Sequence, residues 1–247
     1  SKKLAANLGL NNLYITFSGY WPKIGADMTT CSFKETEAYT VCARLTGEEE
    51  DVMVVASAGN TARAFAKVCS DNDIPLLLVV PYDNLDAIWL GQKIRDNVKL
   101  ISTPPGSDYY DSIHLAAKIC QSDFFFEEGG AKNVARRDGM GTTVLSAVTT
   151  IGTIPDYYFQ GIGSGTGAIS AWEANLRFIE SGVYGKKIMR LFPSQNSPFT
   201  PIADAWETRS RTLSLGTEDE ARQKALSIDA KVLANRKPPY GIVGGLY

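Results

Sequence analysis

Apolar and polar positions form blocks along most of the chain that are typical of strands followed by helices. Uninterrupted apolar runs predict buried strands at 51–56, 75–80, 98–102 and 124–126. Between these runs, apolar residues return every three or four positions, which predicts helices at 61–70, 85–94 and 107–120. Strands that alternate with helices are typical of a parallel sheet with crossover helices, so the expected fold class is α/β.

Similar blocks continue on both sides of this region. The patterns predict further strands at 13–17, 156–160 and 187–192, and further helices at 33–45, 142–151, 168–180, 201–209 and 219–234. The stretch 127–141 has no clear period and is interpreted as an irregular crossover. We therefore expect two subdomains with mainly parallel sheets flanked by helices. Residues 1–45 and 130–247 would form the larger one, and residues 46–129 the smaller one.

Composition excludes several classes of partner. The 247 residues are 44% hydrophobic and 21% charged, and the formal net charge of −2 gives no basic field for a nucleic acid. No apolar run approaches the roughly 20 residues that span a bilayer, so no membrane partner is expected. The single histidine and four widely spaced cysteines predict no metal site, and they favour free thiols in a reducing cytoplasm.

A glycine-rich turn is the strongest candidate for chemistry. Gly161, Gly163, Gly165 and Gly167 alternate after a predicted strand and before a predicted helix. Glycines let backbone N–H groups approach an anion closely, and the start of a helix adds partial positive charge. The hydroxyl groups of Ser164 and Thr166 add donors, so the turn predicts a phosphate site.

The glycine pattern leaves open which phosphate is bound. Residues 163–168 fit the dinucleotide fingerprint, which also expects an acidic residue at the end of the next strand. The next predicted strand runs into 190–194, which contains no acidic residue, and the GK[ST] of a P-loop is also missing. A dinucleotide-dependent oxidoreductase is therefore the alternative interpretation of this turn.

Two further stretches could act with the glycine turn. Ser57 to Thr61 form a polar turn before a predicted helix, where they could simply cap the helix or could bind an anion. Lys34 begins another predicted helix, and it could be a surface lysine beside Glu35 and Glu37. A nucleophilic lysine would instead need burial or a nearby cation to lower its pKa.

In order and spacing, these three stretches resemble the motifs of fold-type II pyridoxal-phosphate enzymes, the group of threonine synthase, cysteine synthase and tryptophan synthase β. Residues 30–36 are similar to the lysine motif Thr-Gly-Ser-Phe-Lys-Asp-Arg, and residues 57–62 match Ser-x-Gly-Asn-x-Ala. Residues 163–167 match the phosphate loop of the family. The chain departs from the pattern at Cys31, where the family has glycine, and at Glu35-Thr36, where it has Asp-Arg.

The resemblance implies a cofactor, pyridoxal 5'-phosphate, and a role for each motif. Lys34 would carry the cofactor as a Schiff base and act as acid and base, and Asn60 would bind the cofactor's 3'-oxygen. Ser57 and Thr61 would contact substrate. The cofactor phosphate would be held by the loop residues Gly163, Ser164, Gly165, Thr166 and Gly167.

Within the family, the chain resembles a threonine synthase-like branch that serves coenzyme M biosynthesis. This implies a cytoplasmic homo-oligomer that converts O-phospho-L-serine and sulfite to L-cysteate and phosphate. A threonine synthase acting on O-phosphohomoserine, or an inactive binding module with the same fold, is the alternative. The candidate cations for these anionic substrates are Lys23, Arg63, Lys132, Arg136 and Arg137.

The family also places a Ser or Thr near the C-terminus against the pyridine nitrogen. Residues 241–247 contain neither. We therefore expect the native protein to extend beyond this chain.

Overall fold

The structure is a computed structural model that describes residues 2–45, 51–242 and 245–247. Its helices are α1 (Lys2–Asn7), α2 (Lys34–Cys42), α3 (Asn60–Asp71), α4 (Tyr109–Ile119), α5 (Val134–Ile151), α6 (Thr166–Ser181), α7 (Pro201–Glu207) and α8 (Glu218–Ser227). Its strands are β1 (Tyr20–Trp21), β2 (Ala26–Asp27), β3 (Val52–Ala56), β4 (Leu76–Pro81), β5 (Val98–Thr103), β6 (Phe125–Glu127), β7 (Tyr157–Gly161) and β8 (Arg190–Ser194). None of the described helices has both the length and the apolar character needed to cross a bilayer.

A four-stranded parallel sheet with the order β5-β4-β3-β6 forms the first half of the fold. Because parallel strands need crossover connections, α3 joins β3 to β4 and α4 joins β5 to β6. Both faces of the sheet are covered. Val55 packs in the cluster that contains Phe65 of α3, whereas Val54 and Val79 pack with Ala116 of α4. This burial on both faces is the reason that the strands are continuous apolar runs, and it confirms the predicted α/β class.

A second parallel sheet consists of β7 and β8, with α6 as the connection between them. Its core is formed by Val144 and Val148 of α5, Ala171 and Ala174 of α6, and Met189 just before β8. The turn from β7 into α6 contains the predicted glycine loop, so the loop lies at the carboxyl end of a parallel strand. Ligands of α/β proteins bind at this end of the strands.

Helix α5 contradicts the prediction of an irregular crossover at 127–141. The helix begins at Val134, because the side chain of Asn133 accepts a hydrogen bond from the Arg136 amide at 3.4 Å and caps it. Gly139 lies where α5 crosses α2, and a Cβ atom there would be 2.3 Å from the Thr36 carbonyl oxygen. The glycines that suggested a loop therefore permit close helix packing.

Three other predictions were wrong. Residues 13–17 form no strand: Tyr14, Ile15 and Phe17 are exposed, and no described strand pairs with them. Residues 85–94 contribute only the end of a short 3₁₀ turn, Tyr82–Ala87, and the Ala87 carbonyl oxygen accepts a hydrogen bond from Arg63 at 2.9 Å. The last long helix ends at Ser227 rather than at residue 234. The expected subdomain boundary at residue 46 lies outside the described residues.

Candidate active site

A cavity of about 110 Å³ lies where the starts of α2, α3 and α6 meet. Every predicted site residue lines it: Lys34, Ser57, Asn60, Thr61, Gly163, Ser164, Gly165, Thr166 and Gly167. The structure thus brings the three sequence motifs to one place. The role assigned to each residue stays a prediction.

Lys34 is the first residue of α2, and its side chain is 17% exposed. Its Nζ atom lies 3.1 Å from Glu37 Oε2 and donates to the sulfur of Met140 at 3.7 Å. Burial lowers the pKa of the Lys34 amine, and the Glu37 carboxylate partly opposes this effect. A lowered pKa increases the fraction of neutral amine, which is the form that acts as a nucleophile.

The turn before Lys34 explains one departure from the family motif. Cys31 has φ of 53°, in the left-handed region, where the family has glycine. A side chain there costs about 1–2 kcal/mol. The turn is held by Glu35, whose carboxylate accepts from the amide of Thr30 at 3.1 Å and from its hydroxyl at 2.8 Å. The turn therefore keeps the left-handed backbone conformation that glycine favours, although cysteine occupies the position.

The Ser57–Thr61 turn combines capping with an oriented amide. The Ser57 hydroxyl accepts from the backbone amides of Gly59 at 3.1 Å and Ala62 at 3.0 Å, so it caps the start of α3. Asn60 Oδ1 accepts from Arg63 at 2.5 Å. Because the oxygen is engaged in this way, the amide nitrogen is the end of Asn60 that can donate to a ligand.

The candidate cations for substrate differ in whether they line the cavity. Arg63 is buried, and it donates to the carbonyl groups of Thr30 and Ala87 at 3.2 and 2.9 Å and lies over the Trp89 ring at 4.2 Å. Arg137 pairs with Glu173. Of the candidates in the described part of the chain, Arg136 alone lines the cavity.

The glycine loop presents bare backbone to the cavity. A Cβ atom on Gly163 would lie 2.5 Å from the Leu233 carbonyl oxygen, and Gly165 has φ of +83°. The hydroxyl oxygens of Ser164 and Thr166 are 2.9 Å apart at the start of α6. Loop amides, two hydroxyls and a helix N-terminus together suit an anion such as a phosphate group.

Several lining residues were missed by the sequence reasoning. They include Tyr109, Met140, Gln160 and the segment 232–235. Gln160 Oε1 is buried and has no hydrogen-bond partner in the described structure, so it is available to a ligand. Its place one residue before the end of β7 was a usable signal, because site residues lie at the carboxyl ends of parallel strands.

These features fit pyridoxal 5'-phosphate: a buried lysine with a lowered pKa, an oriented amide donor and an anion loop line one cavity. A sequence model described as "Pyridoxal-phosphate dependent enzyme" matches residues 17–236. The chain therefore belongs to the pyridoxal-phosphate dependent enzyme family, and its cofactor is pyridoxal 5'-phosphate.

Among its relatives, the chain is 48% identical to the cysteate synthase of Methanosarcina acetivorans and 47% identical to that of Methanosarcina barkeri. Each match covers 100% of this chain and 60% of the relative. The chain thus spans about 60% of the length of these relatives.

Solved structures show the same fold at low identity. The processed form of threonine deaminase isoform 2 from Solanum lycopersicum superposes with a TM-score of 0.64 at 17% identity, over 85% of this chain and 53% of that chain. Maize serine racemase superposes with a TM-score of 0.56 at 16% identity, over 77% and 55%. Both likenesses support the α/β architecture.

The glycine loop yields a prediction with a matched control. Gly163→Ala places a methyl group against the Leu233 backbone, whereas a Cβ on Gly161 would make only a 3.6 Å contact with the Leu233 side chain. Overpacking costs about 1–3 kcal/mol, so we expect Gly163→Ala to displace the loop and raise the dissociation constant of pyridoxal phosphate about fivefold to a hundredfold. Absorbance titration of the apoprotein measures it. Equal affinities for the Gly161→Ala and Gly163→Ala proteins would contradict this prediction.

Proposed function

We propose that the full protein catalyses a β-replacement that converts O-phospho-L-serine and sulfite to L-cysteate and phosphate, a step of coenzyme M biosynthesis. The observation that carries this proposal is the shared cavity of Lys34 and the glycine loop. The cavity lies in a chain that is 48% identical to a cysteate synthase over its whole length. Lys34 would be the reactive lysine, Asn60 would bind the cofactor's 3'-oxygen, and residues 163–167 would hold its phosphate.

Bound pyridoxal phosphate supplies an electron sink that makes the α-proton of an amino acid acidic. The Lys34 Nζ atom takes this proton when its amine is free and neutral, a state that burial favours. Loss of the α-proton allows the β-carbon–oxygen bond to break and phosphate to leave. The sulfur of sulfite then bonds to the β-carbon, and Lys34 returns a proton to the α-carbon.

Both substrates are anions, and the site has to bind them but also release the anionic products. Arg136 lines the cavity, but Glu37 and Glu128 already neutralise it at 2.8 and 2.6 Å. It also donates to the Thr61 hydroxyl at 3.4 Å, which orients that hydroxyl. Ser57 and Thr61 would therefore bind substrate as neutral donors, and Arg136 would act mainly through Thr61.

The proposal keeps the expected architecture of a smaller subdomain, 46–129, and a larger one formed by 1–45 and 130–247. The two sheets support it, since β3 to β6 lie within the first range and β7 and β8 within the second. Closure of the smaller subdomain would exclude water during turnover. We place the reaction in the cytoplasm, in a homo-oligomer, and the four free cysteines fit a reducing compartment.

Visible absorbance of the full-length protein tests the function. We expect a cofactor band that shifts when O-phosphoserine is added and returns when sulfite follows, with L-cysteate as product. A band that responds only to O-phosphohomoserine would move the assignment to threonine synthase. A band that no substrate perturbs would indicate an inactive binding module. If no band forms even with added cofactor, the loop holds another phosphate, as a dinucleotide enzyme would.

A further inference from the structure

Four charged side chains form a buried row beside the cavity. Lys34 Nζ lies 3.1 Å from Glu37, and the other carboxylate oxygen of Glu37 lies 2.8 Å from Arg136. Arg136 in turn lies 2.6 Å from Glu128. Glu37 is 0% exposed, and its carboxylate oxygens have no hydrogen-bond partner in the described structure besides these ion pairs. An ionised carboxylate that is so deeply buried is stable only when cationic groups are paired with it.

The row is one proton short of neutrality when the Lys34 amine is uncharged. With both carboxyls ionised, Glu37 and Glu128 contribute two negative charges and Arg136 contributes one positive charge. Burial raises the pKa of the Glu128 carboxyl, and contact with Arg136 opposes this shift. A proton on Lys34 Nζ brings the buried charge to zero. Tyr109 of α4 also faces the row, and burial raises the pKa of its phenol, so it stays uncharged. The thiol of Cys42, near Glu128, hydrogen-bonds to the Cys69 thiol.

We propose that Glu37 is a positioning residue for Lys34: it fixes the amine at the cavity wall and retains on Nζ the proton taken from substrate. This inference rests on the proposed function, since it concerns the lysine that moves the α-proton. Glu37 follows Lys34 by three positions, so one helical turn places the two side chains together. Arg136 holds Glu37 from the opposite side, on α5.

The direction of the effect follows from the groups around Lys34. Burial is the largest influence and lowers the pKa of its amine, Glu37 raises it, and Arg136 lowers it. Glu37→Gln removes the negative charge that raises the pKa of Lys34. It also removes one of the two carboxylates that offset the positive charge of Arg136. The pKa of Lys34 should therefore fall further in this variant, and the amine should lose its proton at lower pH.

The experiment follows pyridoxal phosphate incorporation into the full-length apoprotein by absorbance, as a function of pH. Incorporation needs the neutral amine, so its rate falls as the pH is lowered and Lys34 becomes protonated. We call this part of the plot of rate against pH the acid limb. We expect this limb to move to lower pH by about 1–3 units in Glu37→Gln, the shift typical of losing an opposite charge at contact.

The matched control is Asp138→Asn on α5, two positions after Arg136. Asp138 also forms ion pairs, but with Arg44 and Arg177 rather than with Lys34, and it does not line the cavity. The acid limb of this variant should coincide with that of the wild-type protein.

Two outcomes separate this inference from the proposed function. Suppose that the wild-type protein shows the cofactor band but that the acid limb is unmoved in Glu37→Gln. The proposed role of Glu37 is then overturned, while the proposed function stands. If no band forms on wild-type Lys34, the proposed function fails and this inference fails with it. Should Glu37→Gln not fold, Glu37→Asp withdraws the carboxylate by one methylene. A smaller shift in the same direction supports the role, and an unchanged limb overturns it.

Discussion

Lys34→Ala should lower turnover about a thousandfold or more and abolish the visible cofactor band, because in the proposed mechanism one amine both attaches the cofactor and moves the proton. The variant should remain folded, since Glu37 keeps its ion pair with Arg136 when the lysine is lost. Steady-state assays with O-phosphoserine and sulfite measure the loss of turnover. Absorbance after incubation with pyridoxal phosphate measures the loss of the band, and circular dichroism checks the fold.

A matched control is available on α3. Lys67 has a side chain that is 15% exposed, close to the 17% of Lys34. It pairs with Asp71 at 3.0 Å and more distantly with Glu35 at 3.9 Å, and it does not line the cavity. Lys67→Ala should keep the cofactor band and most of the turnover. Turnover that survives in Lys34→Ala at the level of Lys67→Ala would show that the reactive lysine has been misassigned.

Gly139→Ala should destabilise the protein by about 1–3 kcal/mol, the usual cost of overpacking a tight contact. The added methyl group would lie 2.2 Å from the Thr40 hydroxyl oxygen and 2.3 Å from the Thr36 carbonyl oxygen. A backbone atom cannot rotate away as a side chain does, so α5 and α2 would have to separate. Because α2 carries Lys34, cofactor affinity should fall together with the free energy of unfolding, measured in urea.

Gly141→Ala makes the same change two residues further along α5. Its Cβ would meet the Ser170 carbonyl oxygen and the Ala174 methyl group at 3.4 and 3.5 Å, which is close to ordinary contact. Helix propensity favours alanine over glycine by up to about 1 kcal/mol, so this variant should be as stable as the wild-type protein or slightly more stable. Equal stability of the two alanine variants would contradict the proposed role of the helix contact.

The sequence was informative wherever a local rule decided the structure. The strands of the four-stranded sheet were predictable because burial on both faces leaves only apolar residues, as in 52–56. The two turns that line the cavity, 57–61 and 163–167, were predictable because turns at the ends of parallel strands need glycine, serine or asparagine for backbone reasons. Lys34 lies outside such a turn, and its role was expected only from the resemblance of residues 30–36 to the lysine motif of the family.

The other side of the site depended on contacts between distant elements. Arg136 and Met140 lie on the part of α5 that was interpreted as irregular, since Gly139 and Gly141 interrupt its apolar pattern. The reason for Gly139 becomes visible only when α2 lies against it. In the same way, residues 13–17 have the composition of a strand but no described partner strand, and strand formation requires one.

Arg63 joins parts of the chain that are far apart in sequence. Its guanidinium group donates to Thr30 before α2, to Asn60 at the start of α3, and to Ala87 beyond β4. If the start of α2 or the start of α3 opened alone, a buried cation would lose part of its hydrogen bonding, which is costly. In native-state hydrogen exchange, the amides at the starts of α2 and α3 should therefore exchange as one cooperative unit. A cofactor bound as proposed at either helix start would then slow exchange at both.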